Sequence, residues 1–172
     1  MAEMQLSNTI LNLLNMQFAH ERRNEFLYKQ RQSWADFRGF NGVADYFKQE
    51  SAGEHEHSEI VLNYIFDRNE ELKISPFIFD VPDIGSEATL ISLFATALEV
   101  EYGTTAALQN IYSQAIAEGD FMTASWLFDK LIPAQISEEN EYVSILDRFA
   151  QYAECPSRDH DMDIFIKENF VK

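Results

Sequence analysis

The chain has 172 residues, 46% of them hydrophobic and 13% aromatic, enough apolar material for one domain with a substantial core and too much for a disordered chain. Only six Gly and four Pro argue against a turn-rich β fold and for long regular elements. A formal net charge of −16, from 29 acidic against 13 basic residues, opposes nucleic-acid and anionic-membrane partners, which need Lys and Arg, and favours the attraction of small cations.

Apolar residues at helical spacing predict a first helix over about residues 5–37, with Leu6, Ile10, Leu14, Phe18 and Tyr28 on one face and Ser7 or Asn8 as its cap. Gly39 and Gly42, around Phe40-Asn41, mark a turn. A second helix follows over about 43–72, with Val43, Phe47, Val61 and Ile65 inward, antiparallel to the first because the turn is short. Pro76, Pro82 and Gly85 break the pattern over about 73–86, a stretch that suits an extended crossover burying Phe77 or Phe79. Such a crossover starts the third helix at the same end as the second. That helix is expected over about 87–117 with Ser86 as N-cap. A short turn, Glu118-Gly119-Asp120, leads to a fourth helix over about 121–152, which Pro133 should kink or bulge. A short fifth helix over about 159–169 carries Met162, Phe165, Ile166 and Phe170. The expected fold class is therefore all-α: a four-helix bundle with a long crossover and a short C-terminal helix, in a single domain over 1–172.

Each long stripe is interrupted near its middle by residues that can hold a metal. The stripes read Leu14–Phe18–Glu21–Tyr28, Phe47–Glu50–Glu54–His57–Val61, Phe94–Leu98–Glu101–Thr105–Leu108 and Phe128–Leu131–Gln135–Glu138–Tyr142–Ile145. A carboxylate on a core face is costly without a partner, and four helices sharing that cost at one depth point to a shared cation. Glu54-x-x-His57 puts both side chains on one face. Glu21 aligns with Leu14, Phe18 and Tyr28 better than Glu25 does, and Glu99 points to a different side from Glu101. A carboxylate-rich set with one imidazole suits Fe(II), Mn(II) or Zn(II). A closed structural zinc site needs more than one Cys.

Glu21 with Tyr28, Glu54-x-x-His57, Glu101 and Gln135-x-x-Glu138, together with the crossover and the short last helix, resemble the ferritin family over about residues 6–170; carboxylate and Glu-x-x-His ligation in such bundles is a general description of that class. The resemblance implies oxidation of Fe(II) by dioxygen at a dinuclear iron centre, and storage of ferric mineral in a homo-oligomeric shell of 24 subunits. It implies a first iron site from Glu21, Glu54 and His57, and a second from Glu54, Glu101 and Gln135. A third nearby site uses Glu50 and Glu138, with Glu139 as an alternative to Glu138. Tyr28 resembles the tyrosine that hydrogen-bonds near the centre and donates an electron. No haem is expected, because a second Glu-x-x-His is absent and no methionine stands out as a haem ligand. Against the family spacing, one extra residue separates Glu101 from Gln135, and a local bulge has to absorb it. Acidic residues near the last turn, Glu118, Asp120 and Asp129, are candidates for a cation pore. Two alternatives stay open: a related di-iron oxidase that stores nothing, and a metal-free helical interaction module.

The lone Cys155 cannot form an internal disulfide and fits a reducing, cytoplasmic compartment. Met1-Ala2-Glu3-Met4 lacks the basic start of a signal peptide, and no run approaches the roughly 20 apolar residues of a membrane span.

Overall fold

A computed structural model of the chain describes residues 5–172; Met1 to Met4 lie outside the described residues. The described residues form six α-helices: α1 (Asn8–Phe37), α2 (Asn41–Asp67), α3 (Leu90–Glu118), α4 (Phe121–Lys130), α5 (Ile132–Gln151) and α6 (Arg158–Asn169). Among the described residues there is no strand, and no helix is long and apolar enough to cross a membrane.

The apolar stripes pack into two layers. One joins Tyr28 of α1, Phe47 of α2, Phe94 of α3 and Tyr142 and Phe149 of α5, with Met162 and Ile166 of α6 packed against them. The other joins Leu14, Val61 and Ile65, Leu108 and Ile111, and Leu127 of α4. Chain order through the two layers fixes the directions. Helix α1 runs from the second layer to the first, α2 and α3 both run from the first to the second, and α4–α5 returns. Parallel α2 and α3 require the long crossover, as the sequence led us to expect.

Several boundaries differ from expectation for local reasons. Ser7 caps α1, its side chain accepting from the Ile10 N–H. Helix α2 stops at Asp67 rather than near 72, because Asn69 adopts φ +58° and Arg68 turns away. Its Nη2 lies 3.0 Å from Asp120 Oδ2, and its Nη1 donates to the Tyr64 hydroxyl at 2.6 Å and to Thr123 Oγ1 at 2.9 Å. That network ties the end of α2 to the start of α4. The crossover contains one 3₁₀ turn, Pro76–Phe79. Phe77 is half-buried and packs on His20 with ring centroids 5.0 Å apart, whereas Phe79 is largely exposed. Thr89, not Ser86, caps α3. Thr89 and Ser92 each accept from the other's backbone N–H, a reciprocal box that satisfies two orphan donors. Gly119 ends α3 at φ +74°, where any Cβ is disfavoured.

The fourth helix of the sequence is two helices in space. It breaks at Leu131, and Pro133 sits in the first turn of α5, where its missing N–H costs least. Across the break the core-facing positions Leu127, Leu131, Gln135, Tyr142 and Ile145 keep ordinary helical spacing. Leu127 faces the core, and Phe128, expected inward, is 62% exposed.

Candidate metal centre

Between the two apolar layers lies a layer of buried polar side chains, one set from each long helix. Helix α1 contributes Glu21, α2 contributes Glu54, α3 contributes Glu101 and α5 contributes Gln135, all buried, with half-buried His57 and Glu138 beside them. Each sits in line with its helix's apolar stripe because residues three and four apart share a face.

Ligand atoms of Glu21, Glu54 and His57 lie within 4.8 Å of one another, close enough to hold one metal ion. His57 Nδ1 is 4.0 Å from Glu21 Oε2, and its Nε2 is 3.5 Å from Glu138 Oε1. On the opposite side, Glu101 accepts from the Tyr28 hydroxyl and from Gln135 Nε2 at 2.7 Å. Glu50, one turn before Glu54, accepts from the Tyr142 hydroxyl at 3.0 Å.

The carboxylates are short of partners. Buried oxygens of Glu21, Glu54 and Glu138, one Oε2 on each, have no hydrogen bond. Such orphans are rare in native interiors and call for a reason. The titration behaviour agrees. Burial pushes Glu54 well above the ordinary carboxylate range, and the close approach of Glu21 and the charges of Glu101 and Glu138 push it further. Burial lifts Glu138 to about 9, with Glu101, Glu50 and Glu21 adding repulsion. Glu50 rises to about 8 through burial and the charge of Glu141, against the pull of the Tyr142 hydrogen bond. Glu101 rises to about 7, since burial outweighs the hydrogen bonds from Tyr28 and Gln135. Burial, then the charges of Glu101 and Glu54, raise the Tyr28 phenol well above its usual range. With their carboxyls raised in this way, Glu54, Glu138 and Glu50 hold protons near neutral pH, and a cation entering this layer would have to displace them.

A family model for the ferritin-like domain matches residues 11–152. The chain belongs to the ferritin family. It is 26% identical over 137 residues to the bacterial non-heme ferritin of Staphylococcus aureus (strain USA300), covering 80% of each chain. It is 25% identical over 143 residues to that of Staphylococcus haemolyticus (strain JCSC1435), covering 83% of each. Among solved structures, the open-pore ferritin of the hyperthermophilic archaeon Archaeoglobus fulgidus superposes with a TM-score of 0.88 at 20% identity, over 97% of this chain and 98% of that one. A form of that protein engineered to be closed superposes with a TM-score of 0.88 at 19% identity, over 98% and 100%. These likenesses extend the ferritin fold over nearly the whole chain.

Within this ferritin fold, geometry separates neighbouring acids that look alike in the sequence. Glu25 is buried like Glu21, yet its carboxylate turns to Arg22, Lys29 and His55. Glu99 is exposed. Glu138 reaches His57, whereas Glu139 accepts from the Thr105 hydroxyl. Gln135, in the first turn of α5, faces Glu101 and donates to it from Nε2. Of the three candidate pore acids, Asp120 is engaged elsewhere: it caps α4 through the Thr123 N–H and pairs with Arg68. Glu118 and Asp129 are exposed.

Gln17 was missed in the sequence. It is buried, and its Nε2 donates to Glu21 Oε1 at 2.6 Å, which leaves Glu21 Oε2 turned toward His57. The available signal was a polar residue one turn before Glu21 on the same stripe. Tyr142 was read only as core, and its hydroxyl in fact holds Glu50.

Proposed function

We propose that this ferritin-family chain binds Fe(II) at the acidic layer, oxidises it with dioxygen, and stores the ferric product as mineral within a multi-subunit shell. The observation that carries this reading is the set of orphaned buried carboxylate oxygens on Glu21, Glu54 and Glu138 around His57. Oxygen donors with one imidazole suit Fe(II), and their shortage of partners is what a cation would relieve.

In this reading Fe(II) is the substrate. Glu21, Glu54 and His57 form the first site. Glu54, Glu101 and Gln135 form the second, with Glu54 shared. Two metal ions held side by side bring dioxygen and both electron donors together, so proximity supplies much of the acceleration. The carboxylates offset the charge that grows as Fe(II) becomes Fe(III). Glu50 and Glu138 supply a third, adjacent site. Gln17 orients Glu21, and the two contacts of His57 set its ring. Tyr28, hydrogen-bonded to Glu101, is the proposed electron donor.

Storage requires an enclosure that one bundle cannot make, so the proposed assembly is a homo-oligomer of 24 ferritin-like domains, one per chain, in the cytoplasm. The family relatives favour storage over a non-storing di-iron oxidase. Size-exclusion chromatography with light scattering separates them, because the oxidase reading expects a small oligomer.

The central test is Fe(II) addition in air, following ferric absorbance, for the wild type and Glu54→Ala. Loss of rapid oxidation in the variant, with its helical content intact, supports the reading. Equal rates in the two proteins would overturn it.

A further inference from the structure

Among the described residues two arginines, Arg31 and Arg68, are buried, and they differ in their partners. Arg68 is 3% exposed and is held by both Asp120 oxygens at 3.0 and 3.2 Å, by Tyr64 and by Thr123. Arg31 is 6% exposed. Its Nη2 donates to Thr96 Oγ1 at 2.9 Å, its Cζ lies 5.6 Å from the Tyr28 ring centroid, and its Nε has no hydrogen-bond partner. Among the described residues, no carboxylate lies within ion-pair distance of it; the pairs formed involve other cations. A guanidinium offers five N–H donors and does not shed its charge, so Arg31 is a buried cation with most of its fork unused. Such a group is costly unless an anion meets it.

Arg31 lines a cavity of about 420 Å³ between α1, the end of the crossover and the first turn of α3. Leu27, Ile84 and Leu93 give that cavity apolar walls. The first turn of α3 adds the positive end of its dipole. Two exposed acids, Asp83 and Glu87, also border the space and oppose an anion. Exposed charges are screened by solvent, whereas a buried guanidinium in contact with the ligand is not.

We propose that this cavity binds a small carboxylate carrying a short apolar tail, with its head on Arg31 and its tail among Leu27, Ile84 and Leu93. The apolar walls favour such a molecule over an inorganic anion, which has nothing to bury there. The site is separated from the acidic layer by Tyr28, whose ring meets Arg31 and whose hydroxyl bonds Glu101, and its test needs no metal.

Hexanoate is titrated calorimetrically into the metal-free full-length protein, with 1-hexanol and inorganic phosphate as comparison probes. Saturable binding of one hexanoate per chain is expected. Hexanol should bind at least about tenfold more weakly, and Arg31→Met should weaken hexanoate about tenfold or more, as losing a charge-assisted contact requires. Asp83→Asn with Glu87→Gln should tighten hexanoate and leave hexanol unchanged. Arg31→Lys, which keeps the charge and loses the fork, should fall between wild type and Arg31→Met, and it serves if the methionine variant does not fold. Crystals soaked in 6-bromohexanoate should place anomalous bromine density in the cavity. No saturable binding, equal affinity for hexanol, tighter binding of phosphate, or hexanoate binding that ignores Arg31 would each overturn the proposal.

Discussion

Replacing Glu138 by Gln should stabilise the metal-free protein and weaken its response to metal, and the size of the first effect follows from the site. Glu138 ionises near 4.5 in the unfolded chain and near 9 in the fold. A carboxyl raised in this way leaves stability intact below about 4.5 and erodes it as pH climbs toward 9, because the fold holds a proton that the unfolded chain releases. At pH 7 the erosion covers the interval from 4.5 to 7. At about 1.4 kcal/mol per pH unit this is roughly 3 kcal/mol, an upper figure because the side chain keeps 26% of its exposure. Gln has no such proton to hold. In a chain of this length the gain corresponds to a rise of roughly 6–12 °C in melting temperature at pH 7, shrinking toward zero at pH 4. Thermal melts of chelator-treated protein at both pH values measure it. Zn(II), which does not react with dioxygen, should then raise the wild-type melting temperature by more than it raises that of Glu138→Gln. A variant that is neutral or destabilised at pH 7, or shifted equally at both pH values, would show that the acids do not burden the fold as described.

Gln17→Leu should weaken the proposed first metal site, because Gln17 holds Glu21, while the Glu101–Gln135 contact stays intact. Co(II) titration by visible absorbance should then show one of two ions bound about tenfold or more weakly, the usual cost of removing a ligand's supporting partner; unchanged affinity for both would leave Gln17 a packing residue. Tyr28→Phe should keep Fe(II) binding and the first oxidation, and lose any tyrosyl radical trapped by freezing during turnover, which electron paramagnetic resonance reads directly. Gly42→Ala should loosen α6. A Cβ there would meet the Asp163 carbonyl oxygen at 2.1 Å, beside the bond from the Val43 N–H to Asp163 Oδ1 at 2.8 Å. A loss of about 1–3 kcal/mol, or more, is expected, with faster amide exchange across α6; a neutral variant would mean that α6 adjusts freely.

How much of this was legible beforehand depends on the range of the interactions involved. Stripe periodicity is a local property, so the helices and the long crossover followed from spacing, and the acids interrupting each stripe stood out against Leu and Phe. The identity of the inward acid in each crowded run was harder. Glu21 and Glu25 are both buried, and what separates them is that Arg22, Lys29 and His55 surround only the second. Gln17 escaped notice because an amide on a core stripe reads as a minor irregularity until the carboxylate it supports is seen.

The residues alone settled the helical class, the antiparallel first pair, and the convergence of acids from four rods at one depth, because these rest on 3.6-residue periodicity and on the cost of burying charge. Packing between distant segments settled the rest. It broke the last long helix at Leu131, brought Gln135 to Glu101, turned Glu138 to His57 and Glu139 to Thr105, paired Asp120 with Arg68, and left Arg31 buried with no carboxylate at ion-pair distance among the described residues. Each of those outcomes depends on which surface a side chain meets across the bundle, and spacing along one helix holds no information about the helix opposite.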